Sequence, residues 1–259
     1  MGIDFHDPSV TFSYASRTAS DEWKALIKPY IVSSESMAID IGCGGGIYTK
    51  ALLELGTNHV TALDFSENML TAAKENCSDY KRRISFKQGE ATCTHLPSSA
   101  ADIVLERAVI HHLNDLESAF VEAFRLLKTG GTFIVQDRTP EDCLLPGSPE
   151  HIRGYFFEKE PLLIEQEIKR RFSSERVQSA LTEAGFTCIK EIRLWETRKS
   201  FSTFQELASD LKSRTGRSIL FELNDEQLNA LLTFIEDKLK NEKSIIERDR
   251  WTIWFATHP

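Results

Sequence analysis

The residues best suited to chemistry lie in one stretch, Asp40-Ile41-Gly42-Cys43-Gly44-Gly45-Gly46, and at Asp64, 22 residues after Gly42. Glycines let a backbone turn sharply and approach a ligand where a Cβ would collide. A helix beginning just beyond them offers unpaired N–H groups and a positive dipole end to an anionic group. An acidic side chain ending the next strand can accept hydrogen bonds from both hydroxyls of a ribose. The combination fits a nucleotide-type ligand. The dinucleotide pattern G-x-G-x-x-G/A needs a small residue at position 47, where this chain has Ile47, and that argues against a nicotinamide-dependent oxidoreductase. His111 and His112 are the candidate proton acceptors, because imidazole titrates near neutral pH. Two adjacent histidines converge poorly on one ion, and the five cysteines form no C-x-x-C pair, so no metal site is expected.

Such residues need a scaffold that brings loop tips to one edge. From Met37 to Asp137 strand-like and helix-like segments alternate, the pattern of a parallel sheet covered by helices. Short apolar runs predict strands at Met37–Ile41, His59–Leu63, Ile84–Lys87, Asp102–Leu105 and Thr132–Gln136. Helices are expected from Ile47 to Leu55, from near Ser66, and from Asn114, with Asn114 as N-cap and Glu117 at N3 in capping-box form. The last of these sets Phe120, Ala123, Phe124 and Leu127 on one face. Upstream, Trp23, Leu26, Ile27 and Tyr30 have helical spacing that Pro29 should kink or end.

Beyond Asp137 the alternation lapses. Residues Arg138–Arg171 hold Pro140, Pro146, Pro149 and Pro161 and read as a loop-rich insertion with one short helix. A helix over Ser174–Ala184 and a strand over Thr187–Leu194 restore the pattern. Thr197–Ile246 reads as mainly helical, clearest from Asn224, where Leu228, Leu231, Leu232, Ile235 and Leu239 align. Lys238–Arg250 has the mixed charge of a solvated helix face, and Trp251–Ala256 closes the chain as a strand. The expected division is an N-terminal extension (1–31), a core (32–137), an insertion (138–172), the core's continuation (173–196), a helical cap (197–246) and a final strand (247–259). Phe156, Phe157, Trp195, Phe201 and Phe204 in the added segments read as core before they read as pocket lining.

Five segments in order resemble the class I S-adenosylmethionine-dependent methyltransferases. They are the glycine loop; Ala62-Leu63-Asp64-Phe65-Ser66 with Met69-Leu70; Gln88-Gly89-Glu90-Ala91 followed by Leu96-Pro97; Asp102–Leu105 leading to Ala108–Leu113; and Leu126–Thr132 with its Gly130-Gly131 turn. The resemblance implies a Rossmann-like, doubly wound α/β fold, with a mostly parallel seven-stranded sheet, the last strand antiparallel, and helical cap segments. It implies that S-adenosylmethionine is the cofactor, its methionine end held by Asp40 and the loop of Gly42, Cys43, Gly44 and Gly46. Asp64 would bind the ribose, and Phe65 and Met69 would pack beside the adenine. Glu90, where Asp is commoner, would accept from the adenine amino group, with Ala91 giving a backbone contact. Arg107 and Ala108 would lie beside the sulfonium and the methyl. Many members with different acceptors carry a His-His-Leu run, so His111 and His112 take on a structural or cofactor-side reading beside the catalytic one. N-terminal segments in this family often close over the cofactor, which brings Tyr14 and Arg17 within reach of its carboxylate; ordinary surface anchoring accounts for them equally well.

The formal net charge of −8 gives no general attraction to nucleic acid or anionic membrane. No apolar run approaches the ~20 residues that span a bilayer, and the first residues lack a secretion signal, so a cytoplasmic location is expected. The expected partner is a small-molecule methyl acceptor. The two added segments follow the fifth and sixth strands, from which each can reach the carboxyl edge and roof the cofactor. Two other readings stay open. The Ala108–Leu113 run also resembles that of some tRNA wobble-uridine methyltransferases, though no basic stripe supports RNA binding. A cofactor-binding module that has lost transfer is the other.

Overall fold

In the computed structural model seven strands form one sheet, in the order β3-β2-β1-β4-β5-β7-β6. They are β1 (Met37–Ile41), β2 (His59–Asp64), β3 (Ile84–Gln88), β4 (Ala101–Arg107), β5 (Leu127–Asp137), β6 (Thr187–Phe201) and β7 (Ile245–Thr257). Pairs β1–β2, β1–β4, β2–β3 and β4–β5 are parallel, and β7 runs antiparallel to β5. This is the Rossmann-like, mostly parallel sheet expected. Its order reverses between β1 and β4, so the loops leaving those two strands diverge and open a crevice at the carboxyl edge.

The structure describes residues 18–214 and 216–259, and Tyr14 and Arg17 lie outside them. The helices are α1 (Asp21–Ile27), α2 (Ile47–Glu54), α3 (Glu67–Asn76), α4 (Leu116–Leu126), α5 (Pro140–Cys143), α6 (Ile152–Lys159), α7 (Leu162–Arg170), α8 (Ser174–Glu183), α9 (Phe204–Lys212) and α10 (Asp225–Leu239). Helix α1 is capped by the Ser20 side chain and passes into a 3-10 turn, Lys28–Tyr30, at Pro29. The chain divides into two compact units. The larger holds residues 18–137, Ser174–Arg193 and Thr252–Pro259; the smaller holds Arg138–Ser173 and Leu194–Trp251. In the larger, Trp23, Ile39, Leu52, Leu63, Ile103, Leu105, Phe120 and Phe133 are buried on the two faces of the sheet. Among the described residues no helix is long and apolar enough to cross a membrane.

Three sequence expectations need correction. The N-cap of α4 is Asp115, not Asn114: its carboxylate accepts the Ser118 amide at 2.9 Å, leaving Glu117 in the first turn outside a capping box. Either residue can cap, and the phase that buries Leu116 at N1 prevails. The segment Arg138–Arg171 carries three helices, α5, α6 and α7, instead of one. Two of its prolines start helices, Pro140 at N1 of α5 and Pro161 as the cap of α7, which is where proline is tolerated. Lys238–Arg250 is not one solvated helix face, since α10 ends at Leu239 and β7 begins at Ile245. Along β7 the alternate residues Ile245, Glu247, Asp249 and Trp251 are buried.

The charges on β7 are paired inside the smaller unit. Arg217, 1% exposed, donates to Glu247 at 2.5 and 3.1 Å and to Asp210 at 2.5 Å. Asp249 faces Arg138 and Arg153, and Glu167 faces Arg153 and Arg171. Beside this network Phe156, Phe157, Leu207, Phe201, Leu231 and Ile235 belong to one apolar cluster. The accessory aromatics Phe156, Phe157 and Phe201 are therefore core, as expected.

Candidate functional site

The loop between β1 and α2 is built from three glycines in left-handed backbone, Gly42 (φ +69), Gly44 (φ +51) and Gly46 (φ +81), each for its own reason. A Cβ on Gly42 would come within 2.3 Å of Val109 Cγ2. One on Gly46 would meet Cys77 Sγ at 2.8 Å and Ala73 at 3.2 Å, on α3. These two serve packing. At Gly44 no described atom lies within 4 Å of the added carbon, so the loop opens there onto space. Gly46 is the N-cap of α2 and supplies no side chain to its first N–H groups.

The tip of β2 holds this loop. Leu63 O accepts the amides of Gly42 at 2.7 Å and Cys43 at 2.9 Å. Asp64 Oδ2 accepts Gly44 N at 2.9 Å, and Asp64 Oδ1 accepts Ser66 N at 2.9 Å. A carboxylate offers about four acceptor positions, so Asp64 keeps capacity for further donors. Burial raises its carboxyl above the usual range, and the amides of Ser66, Gly44 and Phe65 pull the other way. Asp40, at the end of β1, is also buried and accepts the Thr49 hydroxyl at 2.5 Å. Burial pushes it up to about 7, against the Thr49 bond and the charge of Arg107. Burial holds the Cys43 thiol well above its ordinary value, which makes it a packing group and not a nucleophile.

Just beyond β2, Phe65 is 51% exposed whereas Met69 is buried at 4% on the inner side of α3. Of these two, Phe65 is the one at the surface. After β3, Glu90 is exposed and bridges to Cys93 through the backbone. At the end of β4 the Arg107 guanidinium lies 4.1 Å from the centre of the Tyr48 ring, which in turn meets Trp23 edge-on. Trp23 Nε1 donates to Gln136 Oε1 at 2.7 Å, joining the N-terminal helix to β5. Ala108 has φ +57, uncommon for a residue with a Cβ, and its amide is fixed by Gln136 O at 2.8 Å.

Two groups that sequence reasoning missed complete the arrangement. His111 Nδ1 lies 2.7 Å from Asp137 Oδ2, and Asp137 is 1% exposed. A carboxylate only accepts, so Nδ1 carries the proton and Nε2 is the basic nitrogen. The His112 ring packs 3.9 Å from that of His111. The second missed group is Glu106, fully buried next to Asp137 in the sheet. An acidic residue closing β5 was the available signal for Asp137; Glu106 lies inside an apolar strand run and gave none.

Residues 39–135 match the family model of the methyltransferase domain. Over that stretch the chain is similar to a methyltransferase domain. Over 249 residues, 94% of this chain, the sequence is 26% identical to phosphoethanolamine N-methyltransferase 1 of Zea mays, of which it covers 46%. The chain spans less than half the length of the curated relatives it matches. Among solved structures it resembles a putative methyltransferase from an antibiotic biosynthesis pathway of Anabaena variabilis, with TM-score 0.69 at 20% identity over 92% of this chain and 98% of that one. It also resembles phosphoethanolamine N-methyltransferase 2 of Haemonchus contortus in complex with S-adenosyl-L-methionine, with TM-score 0.59 at 19% identity over 99% of this chain and 60% of that one. At those identities the likeness shows the fold.

The geometry of the loop is compatible with the cofactor that the resemblance implies. The open side of Gly44 is a place that a Cβ would fill, and Asp64 retains acceptor capacity beside it. The structure brings Asp40, Gly42, Cys43, Gly44, Gly46, Asp64, Arg107, Ala108, His111 and His112 to the carboxyl edge of β1, β2 and β4. Glu90 and Ala91 follow the end of β3, two strands from β1. Among the described residues no group of three or more His, Cys, Asp or Glu side chains is placed to hold a metal ion.

Proposed function

We propose that this protein transfers a methyl group from S-adenosylmethionine to a small amine, with phosphoethanolamine the first acceptor to test. The observation that carries the reading is the Gly44–Asp64 pair, a left-handed glycine open on one side and tied to a carboxylate on the other. Asp64 accepts from the ribose, Phe65 covers the adenine, and Glu90 with the Ala91 backbone meets its far edge. Asp40, the loop of Gly42, Cys43 and Gly46, and the neighbouring Arg107 and Ala108 receive the methionine end. The cofactor supplies an activated methyl group on a positively charged sulfur. What the chain must add is alignment, which turns an encounter into a near-unimolecular step.

An amine reaches the site protonated at neutral pH and has to lose that proton before it attacks. His111 is the residue to take it, because Asp137 fixes its tautomer and leaves Nε2 basic. The choice of a phosphorylated amine is supported by the names of three relatives, all phosphoethanolamine N-methyltransferases. The test is calorimetry with S-adenosylmethionine and S-adenosylhomocysteine on the native chain and on Asp64→Ala, followed by mass analysis of phosphoethanolamine incubated with enzyme and cofactor. Undiminished binding by Asp64→Ala moves the cofactor elsewhere. An unchanged phosphoethanolamine mass removes that acceptor and leaves the cofactor reading standing.

A further inference from the structure

Both carboxyl oxygens of Glu106 are buried without a hydrogen-bond partner among the described residues, and the residue is 0% exposed. The strand register fixes its position. Glu106 pairs with Ile41 of β1 and with Val135 of β5, so its side chain shares their face of the sheet. Ile41 immediately precedes Gly42, and neighbouring strands lie about 4.8 Å apart. Glu106 therefore stands one residue below the glycine loop.

Among the described residues the charged groups around it come from β1, β4, β5 and the turn after β4. Asp137 lies two residues beyond Val135 on β5, on the same face, and is the group whose charge acts on Glu106. His111, in the turn after β4, is bound to Asp137, and His112 packs on His111. Arg107 turns to the opposite face over Tyr48, and Asp40 turns the same way to Thr49. None of these donates a hydrogen bond to Glu106.

A buried carboxylate with no donor is strongly disfavoured. Burial, with Asp137 beside it, pushes the Glu106 carboxyl up to about 8. The neutral acid is thus the form held near neutral pH. For space-filling alone an apolar residue would serve better at this position. An acid becomes useful where a positive charge arrives and later disappears.

We propose that Glu106 distinguishes the charged cofactor from its neutral product, losing its proton when the sulfonium binds and regaining one after the methyl has gone. This rests on the reading that the Gly44–Asp64 pair holds the cofactor. The proton passes to solvent on binding. In transfer the carbon–sulfur bond breaks with its electron pair left on sulfur, the positive charge is lost, and the Glu106 carboxylate recovers a proton from solvent.

The test is calorimetry of the full chain at pH 7 in two buffers of different ionisation enthalpy, which counts protons exchanged. S-adenosylmethionine and S-adenosylhomocysteine differ by a methyl group and its charge, so the contributions of their shared amino and carboxyl groups cancel. We expect S-adenosylmethionine to release most of one proton more than S-adenosylhomocysteine. Glu106→Gln should abolish that difference and reduce the preference for the charged cofactor several-fold. Equal proton counts for both ligands on the native chain overturn the proposal while leaving the cofactor reading intact. A difference that persists in Glu106→Gln also overturns it and assigns the proton to another carboxyl, with Asp40 next in line. Failure of either ligand to bind overturns the cofactor reading and this inference with it.

Discussion

The amide of Gly44 donates to Asp64 Oδ2 at 2.9 Å, so the carboxylate at the tip of β2 shapes the loop that follows β1. One side chain thereby fixes the loop and, on the proposed reading, also meets the ligand. Asp64→Asn keeps the size but can turn an N–H toward the Gly44 N–H. We expect it to cost about 1–3 kcal/mol of stability and to weaken S-adenosylmethionine binding by about tenfold or more. Thermal unfolding and calorimetry read the two effects separately.

The three loop glycines should respond differently to alanine. Gly44→Ala puts its Cβ into open space at φ +51, costing about 1–2 kcal/mol for the left-handed backbone. Its main effect is expected on cofactor affinity. Gly42→Ala drives a methyl against Val109 at 2.3 Å and adds about 1–3 kcal/mol of overpacking to the same backbone cost. A Gly44→Ala chain that binds S-adenosylmethionine like the native one would show that the open side faces no ligand.

Asp137→Asn should leave the fold in place and lower kcat with the acceptor by about 10²-fold or more. The amide no longer enforces a proton on Nδ1 of His111, so the tautomer with basic Nε2 loses its advantage. A change confined to KM would remove the pair from proton transfer.

Acid should loosen the larger unit through Glu122. Its bond from Arg125, joined by those from Thr94, holds the carboxyl down at about 2 against desolvation. A carboxyl depressed in the folded state stabilises above its unfolded value and loses that contribution as pH falls toward 2. Glu122→Gln should therefore flatten the fall in stability between about pH 4.5 and 2, measurable by denaturant titration across that window. An unchanged slope would place the acid sensitivity elsewhere.

In the smaller unit, Arg217→Ala leaves Glu247, 2% exposed, without its principal partner. Breaking a buried pair from one side costs about 3–5 kcal/mol. Arg217→Met paired with Glu247→Leu should recover much of it. Calorimetric unfolding of the single and double variants checks the sign.

Much of the larger unit was legible because its signals agree: short apolar runs, glycines after them, an acid at the tip of β2. The loop of the candidate site was legible where a sharp turn and the strand end beside it need fixed residue types at fixed offsets, as at Gly42, Gly44 and Asp64. Legibility failed where a tertiary partner overrides local pattern. Glu247 and Asp249 read as solvated because their sequence neighbours are charged, yet Arg217, Arg138 and Arg153 draw them inside. Pro140 and Pro161 read as breakers and proved to be helix starts. Asp137 became visible as a site residue only when the turn after β4 brought His111 across to β5.

Strand β6 passes from the larger unit to the smaller between Arg193 and Leu194, and β7 returns between Trp251 and Thr252, both in mid-strand. A chimera that borrows the smaller unit from another enzyme therefore has no linker in which to absorb a mismatch. Its two seams fall inside strands, where an error of one residue turns every later side chain to the wrong face. Recombination between relatives would have to conserve strand phase at both seams, which ties the evolution of one unit to that of the other.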